Sequence, residues 1–362
     1  FFCTIEEGVR GQRALDWRLV DQLLPASTFS DAVAERATAI AARNRRPNAS
    51  EAVSLTSITR TIGDHTIDYN YLSITLDRKL GTANFTLKGP AQAAPVDAAQ
   101  ALQQGAAFWP LAIMRELDDA ILHLRFNEEE IGTWVFRSHG ELATVLDYEY
   151  LLNAATDHWF IREVVLLSER VLKRIDVSAR SLIAAIEPAS CFAGTLAELV
   201  LASDQSFMLS DQFEDDSTPA AEVALSAMNF GPLRMVNGST RLEARCLHEP
   251  KQLDELKQLS GQYLDAEAAE RAGLVTFIPD DIDWEDEVRL ALEARAGFSP
   301  DALSGMEANL RFPGPETMES KIFSRLSAWQ NWIFQRPNAV GEQGALVLYG
   351  SGKRPQFHKR RV

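Results

Sequence analysis

Three shortages narrow the field before any motif does. No apolar run in the 362 residues reaches the ~20 that a membrane-spanning helix needs, so no membrane partner is expected. Cysteine is scarce. Cys3, Cys191 and Cys246 are widely spaced, which fits the reduced thiols of a cytoplasmic protein better than a disulfide framework. Basic residues are also outnumbered: 36 Lys and Arg stand against 51 Asp and Glu, for a net charge of −15. A nucleic-acid binder presents the opposite field, so nucleic acid is not an expected partner. The six histidines, His65, His123, His139, His158, His248 and His358, show no metal-ligand spacing, and no metal is expected.

What is present is an ordinary globular composition, 46% hydrophobic, on a chain long enough for two or more domains. It also contains a long-period repeat. GVRGQRALDWRLVDQLLP and FSDAVAERATAIAARNRRP near the beginning answer to LDAEAAERAGLVTFIPDDIDWEDEVRLALEARAGFSP 255 positions later. At that offset Ala14 matches Ala269, Leu19 matches Leu274, Val20 matches Val275, Phe29 matches Trp284 and Val33 matches Val288. Each copy predicts an Ala-rich helix, a Leu-Val turn toward proline and a second Ala-rich helix. The chain therefore reads as the tail of one unit followed by a whole second unit, with the body of the first expected upstream of Phe1.

Residues 1–44 are mostly helical by pattern, punctuated by Gly11 and Pro25, with Ser30 or Asp31 placed to cap a helix. The polar stretch 45–57 predicts a linker. Tyr71–Asp77 and Gly81–Leu87 alternate with period two and predict a hairpin. Residues 91–107 predict a loop with a short helix. Apolar stripes predict helices over 111–126 and 158–174. Gly132–Phe136, Ser181–Ile186 and Gln205–Leu209 read as strands, and Ala193–Ala202 as a helix. This alternation predicts an α/β middle with helical crossovers and a largely buried sheet. Helix returns after Pro300. Asp118–Asp119 read as surface charges, and Glu128–Glu130 and Glu214–Asp216 as solvated loops. Gly350-Ser-Gly-Lys353 lacks the spacing of a phosphate loop. Lys353–Arg361 is a basic tail on an acidic chain, suited to the phosphates of an anionic ligand or a partner's acidic patch, or simply an exposed end.

The segment Leu182–Asp204 carries the chemistry. A buried strand is broken by Pro188, a small-residue turn follows, and a helix opens around Thr195. Such a helix start offers free N–H groups to an anion or a developing oxyanion. Glu198 follows and can act as acid or base where a dry cleft raises its pKa; otherwise it is a carboxylate stabilised by the helix dipole. Cys191 has no base adjacent in sequence and reads as a small buried turn residue.

This segment resembles the signature of the enoyl-CoA hydratase (crotonase) family, a strand followed by AxxGxxxGGGxELALACD. The AGGGxE run falls on Ala193–Glu198 and the ELALACD run on Glu198–Asp204. Four further stretches are similar, more narrowly, to the benzoyl-CoA-dihydrodiol lyases, also described as 2,3-epoxybenzoyl-CoA dihydrolases: IEPASCFAGTLAEL, ELDDAILHLR, GTWVFRS and EANLRFPGPETMESKIFSRLSAWQNWIFQRPNAVG. The resemblance implies a crotonase-like (ClpP/crotonase) spiral α/β fold with a helical C-terminal extension. Its activity would be ring opening of 2,3-epoxybenzoyl-CoA with water, giving 3,4-dehydroadipyl-CoA semialdehyde and formate. No cofactor is implied beyond the CoA that the substrate carries, and the assembly implied is a homodimer. That family has two crotonase-like halves. The expected domains are therefore 1–48, the tail of a first unit; 49–66, a linker; 67–300, a second unit; and 301–362, a helical extension.

The resemblance places the catalytic carboxylate at Glu198 and the thioester-binding turn at Gly194 and Thr195. The second oxyanion donor falls at Gly140. Two signature glycines are replaced by Thr195 and Leu196, and the second family glutamate falls near Ala227. Two readings follow: a working thioester site in this unit, or a worn copy that completes an active first unit. Outside them stand another crotonase-type acyl-CoA hydratase or hydrolase, and a silent half that mediates dimerisation.

Overall fold

The repeat seen in the sequence returns in the helix bounds. The computed structural model describes residues 6–43, 52–213, 218–247 and 249–361. Cys3, His248, Glu214–Asp216, residues 45–51 of the linker and the expected boundary at 48–49 lie outside the described residues. The chain divides into two units, Phe1–Ala52 and Val53–Val362. The first contains α1 (Gly11–Asp16) and α2 (Phe29–Ala41). Their apolar residues Leu19, Val20, Phe29 and Val33 are exposed.

In the second unit a seven-stranded sheet runs in chain order: β1 (Thr61–Ile62), β2 (Thr66–Asp68), β3 (Leu72–Asp77), β4 (Thr82–Lys88), β5 (Thr133–His139), β6 (Ser181–Ile186) and β7 (Gln205–Met208). The first four are antiparallel, and the predicted hairpin pairs Leu72 with Leu87 and Ile74 with Phe85. From β4 onward pairing is parallel, which requires long crossovers. These are α3 (Ala98–Gln104) and α4 (Trp109–Asn127), then α5 (Leu142–Ala154) and α6 (Trp159–Asp176), then α7 (Ala197–Ala202). β5 and β6 are buried on both faces, as their near-continuous apolar sequences require. On one face Phe85 packs against Trp134 and Phe136, with ring centroids 5.5 and 5.2 Å apart.

Beyond the sheet come α8 (Arg241–Arg245), α9 (Pro250–Gln258), α10 (Ala266–Arg271), α11 (Trp284–Ala296) and α12 (Pro300–Leu310). A two-stranded ladder pairs Val223–Ala224 with Tyr263–Leu264. The bounds of α10 and α11 are those of α1 and α2 shifted by 255. The turn repeats too. Arg18 and Gly273 both have positive φ, and Leu19 N–H to Ala14 O and Leu274 N–H to Ala269 O are both 2.9 Å. Burial separates the copies: Leu274, Val275, Trp284 and Val288 are buried, the last two against Val135, Ile183 and Phe207 on the sheet's other face.

The structure corrects several expectations. α7 begins at Ala197, later than read, because Gly194 at φ +47° cannot continue a helix. Residues 142–154, given no helix in the sequence reading, form α5. Asp118 and Asp119 are not free surface charges: Asp118 pairs with Arg174 at 2.6 Å, and Asp119 accepts from Tyr69 Oη at 2.9 Å. Glu128 and Glu129 are held by Arg78 and Arg360. The basic tail is docked rather than free. Arg361 donates to the carbonyls of Ala179 and Gly132, and Lys359 to that of Ala296. In the Trp-rich run, Trp329 and Trp332 meet edge-on at 5.3 Å, while Phe323 is exposed.

Candidate active site

β6 delivers the chain to the turn at Cys191–Thr195, and α7 opens two residues later with Glu198 in its first turn. That side chain has no solvent exposure. Its Oε1 accepts from Asn229 Nδ2 at 2.6 Å and its Oε2 from Arg241 Nη1 at 2.7 Å. Arg241, from α8, also donates to both oxygens of Asp176 at the end of α6, at 3.1 and 2.7 Å, and to Leu172 O. Asp176, Arg241 and Glu198 thus form a sealed triad of two carboxylates on one guanidinium. Burial pushes both carboxyls up, and Arg241 opposes that shift. Such an arrangement fixes the joint between α6, α7 and α8; it offers no free oxygen to a water.

Gly194 and Thr195 face a second buried carboxylate, one that the sequence reading missed. Glu149, on α5, lies against the turn so closely that a Cβ at Gly194 would run into it. Ser226 Oγ donates to its Oε2 at 2.9 Å. Burial pushes Glu149 up to about 7, opposed by Thr195 and Ser226. The N–H and hydroxyl of Thr195 favour the charged form, although Thr195 Oγ1 completes no hydrogen bond of full geometry. A carboxylate of the chain itself therefore lies against the turn that the resemblance assigned to a thioester. One signal could have found it. In Leu142–Ala154 the apolar stripe Leu142, Val145, Leu146, Leu152 includes Glu149 at helical spacing, an acid on the buried face.

Gly140 adjoins the start of this turn, where an added Cβ would lie 3.5 Å from Cys191 Sγ. It follows β5, and its N–H donates to Ala189 O at 3.0 Å. It lines a cavity of about 500 Å³ with Tyr71, Lys88, Pro90, His139 and Thr144; Gly194, Thr195 and Glu198 are not part of that wall. The structure thus gathers Gly194, Thr195 and Glu198 with Glu149, Asn229 and Arg241, while Gly140 meets the start of the same turn at Ala189 and Cys191. Ala227, where the second glutamate would fall, begins a short 3-10 turn capped by Ser226. Glu222 stands before the Val223–Ala224 strand and joins neither group. Cys191 is buried, and burial pushes its thiol up to about 11, which favours the protonated form. Among the described residues no group of three or more His, Cys, Asp or Glu is arranged to hold a metal ion, and no helix is long and apolar enough to cross a membrane.

The growing parallel sheet, its helical crossovers and the strand–turn–helix at Gly194 define the crotonase fold. The chain is similar to an enoyl-CoA hydratase of Geobacillus kaustophilus HTA426, with a TM-score of 0.57 and 17% identity over 84% of this chain and 100% of that one. It is similar also to an enoyl-CoA hydratase/isomerase of Cupriavidus metallidurans CH34, with a TM-score of 0.53 and 19% identity over 81% of this chain and 98% of that one. At these identities the likeness is one of fold. A nearer relative is benzoyl-CoA-dihydrodiol lyase of Aromatoleum evansii, 50% identical over 361 residues. The match takes in 100% of this chain and 64% of that protein, so the chain spans less than two thirds of the relative's length. No family model matches the chain.

Proposed function

We propose that this chain serves a benzoyl-CoA-dihydrodiol lyase, and that its crotonase-like unit at 67–300 supports an active unit rather than performing the chemistry. The reaction would open the ring of 2,3-epoxybenzoyl-CoA with water, giving 3,4-dehydroadipyl-CoA semialdehyde and formate. Identity of 50% along the whole chain supports the enzyme class. The observation that carries the division of labour is the filled turn: Glu149 occupies the approach to Gly194 and Thr195 while Glu198 is locked to Arg241 and Asn229.

A thioester lyase of this kind needs two N–H donors aimed at one oxyanion and a carboxylate within reach of water. Here Gly140 gives its N–H to Ala189 and the other turn is closed. Residues 6–43 fit the tail of a sister unit; the stretch expected as a linker at 49–66 ends in β1 and the first residue of β2, which already belong to the second unit's sheet, and the helical extension follows after 300. Support comes from helix bounds that repeat at 255 and from apolar side chains that are bare in the first copy and buried in the second. The occupant that fits that bare face is the sheet of a first crotonase-like unit, as β5–β7 cover Trp284 and Val288. In this reading the substrate brings CoA and the reaction uses no metal or redox cofactor. The enzyme works as a homodimer in the cytoplasm, where the free Cys191 and Cys246 stay reduced.

Formate release from 2,3-epoxybenzoyl-CoA by the natural protein that carries this sequence tests the reaction. Hydration without formate would point instead to another crotonase-type hydratase. Glu198→Gln in the same protein tests the role of this unit. Unchanged turnover is expected; lost turnover in a variant that melts like the parent would sink the supporting role.

A further inference from the structure

At the edge of the sheet opposite Gly140 and Gly194, this acidic chain collects arginines. Ser181, which begins β6, and Asp204, just before β7, border a cavity of about 410 Å³ closed on its far side by α12. Arg180, Arg241, Arg245, Arg295 and Arg311 line it, with Asp176, Asp204 and Glu307. Three of these cations are already engaged. Arg241 belongs to the triad. Arg245 donates to Gly273 O at 2.6 Å and Leu201 O at 3.3 Å. Arg311 donates to Ala202 O at 2.6 Å and Asp204 at 3.3 Å, so that the last two close the C-terminal end of α7.

Arg180 and Arg295 are different. Arg180 is 6% exposed. Its Nη1 reaches only the carbonyls of Ser178 and Ala179, at 3.2 and 3.3 Å, and its Nε has no partner. Its guanidinium lies 6.0 Å from the centre of the Trp134 ring. Among the described residues no carboxylate forms an ion pair with Arg180 or Arg295. Burial and the nearby charges of Arg361 and Arg125 push Arg180 down to about 9. Glu307, the acid beside it, is pushed up to about 7 by burial and is a weak counter-ion at neutral pH. Arg295 also lines a neighbouring cavity of about 120 Å³ with Lys359 and Arg361. A buried guanidinium without a counter-ion is unfavourable, more so beside other cations, and a bound anion removes both penalties. Leu303, Met306 and Leu310 give the same cavity an apolar wall.

We propose that this cavity binds a small organic anion, its carboxylate or phosphate head on Arg180 and Arg295 and its apolar body against Leu303, Met306 and Leu310. The site is separate from the thioester turn and independent of the function proposed above. Calorimetric titration of the intact chain with benzoate, and separately with inorganic phosphate, tests it. Saturable binding of one anion per chain is expected, with a dissociation constant of about 1 mM or tighter. Tighter benzoate binding identifies a carboxylate carried on an apolar body, and tighter phosphate binding identifies the phosphate head; each supports the site. Arg295→Gln, a change on the partly exposed end of α11, should keep the parent's melt and weaken binding about tenfold, the value of one charge-assisted contact. Arg180→Met should abolish binding and raise the melting temperature in the absence of anion. If that variant does not fold, Arg295→Gln alone decides. No saturable binding of either anion, or binding that Arg295→Gln leaves unchanged, overturns the proposal.

Discussion

Glu149→Gln should make the protein more stable at pH 8 and leave its stability nearly unchanged at pH 4. Glu149 is fully buried, and its carboxyl rises from 4.5 to about 7 in the folded state. A carboxyl with a raised folded pKa binds its proton more tightly folded than unfolded. Its stabilising contribution is complete below the unfolded value and is lost as pH rises through the folded one. The loss therefore falls between pH 4.5 and about 7. At about 1.4 kcal/mol for each tenfold change in proton affinity, it amounts to about 3 kcal/mol by pH 8. Glutamine is neutral throughout and escapes that loss. Its Oε1 can accept from Ser226, and its amide can donate to Thr195 Oγ1, which lacks a partner in the parent. Urea unfolding of parent and variant at pH 4 and pH 8 measures the effect. The expected result is a gap that opens with pH in favour of the variant. A gap that is equal at both pH values, or that favours the parent at pH 8, would refute the claim that Glu149 is an acid without a cation partner sealed beneath the turn.

Three further outcomes are expected. Arg241→Met leaves Asp176 and Glu198 buried and unpaired, and should destabilise the unit by about 3–5 kcal/mol; a melt within a degree or so of the parent's would show that the triad does not form in solution. Gly194→Ala forces a positive-φ residue and a methyl against Glu149, and should cost about 2–4 kcal/mol, part of it recovered in the double variant with Glu149→Ala. The matched pair Leu274→Ala and Leu19→Ala should differ in the isolated chain: the first costs about 2–5 kcal/mol because Leu274 is buried, the second under about 0.5 kcal/mol because Leu19 is exposed. Equal costs would mean that the face carrying Leu19 is already covered.

Much of the fold is legible in the sequence, because periodicity records which face of an element meets the core. Alternation at 71–87 set the β3–β4 hairpin, and the unbroken apolar run at 181–186 set a strand buried on both sides. The 255-residue repeat set the helix pair twice over, down to its turn. α5 escaped that reading because its stripe is interrupted by Glu149, a residue that an apolar pattern excludes.

The site was legible only in part. Sequence spacing named Gly194, Thr195, Glu198 and Gly140, but whether they work together depends on what crosses them. Glu198 meets Asn229 and Arg241, 31 and 43 residues away, and Glu149 meets Ser226 across 77. The sequence by itself determined the strand–turn–helix frame, since local geometry and burial follow from short-range pattern. Only the tertiary structure decided that Glu198 is clamped and the turn filled. A carboxylate's protonation and freedom are set by the charges and dipoles folded against it, and those come from distant parts of the chain.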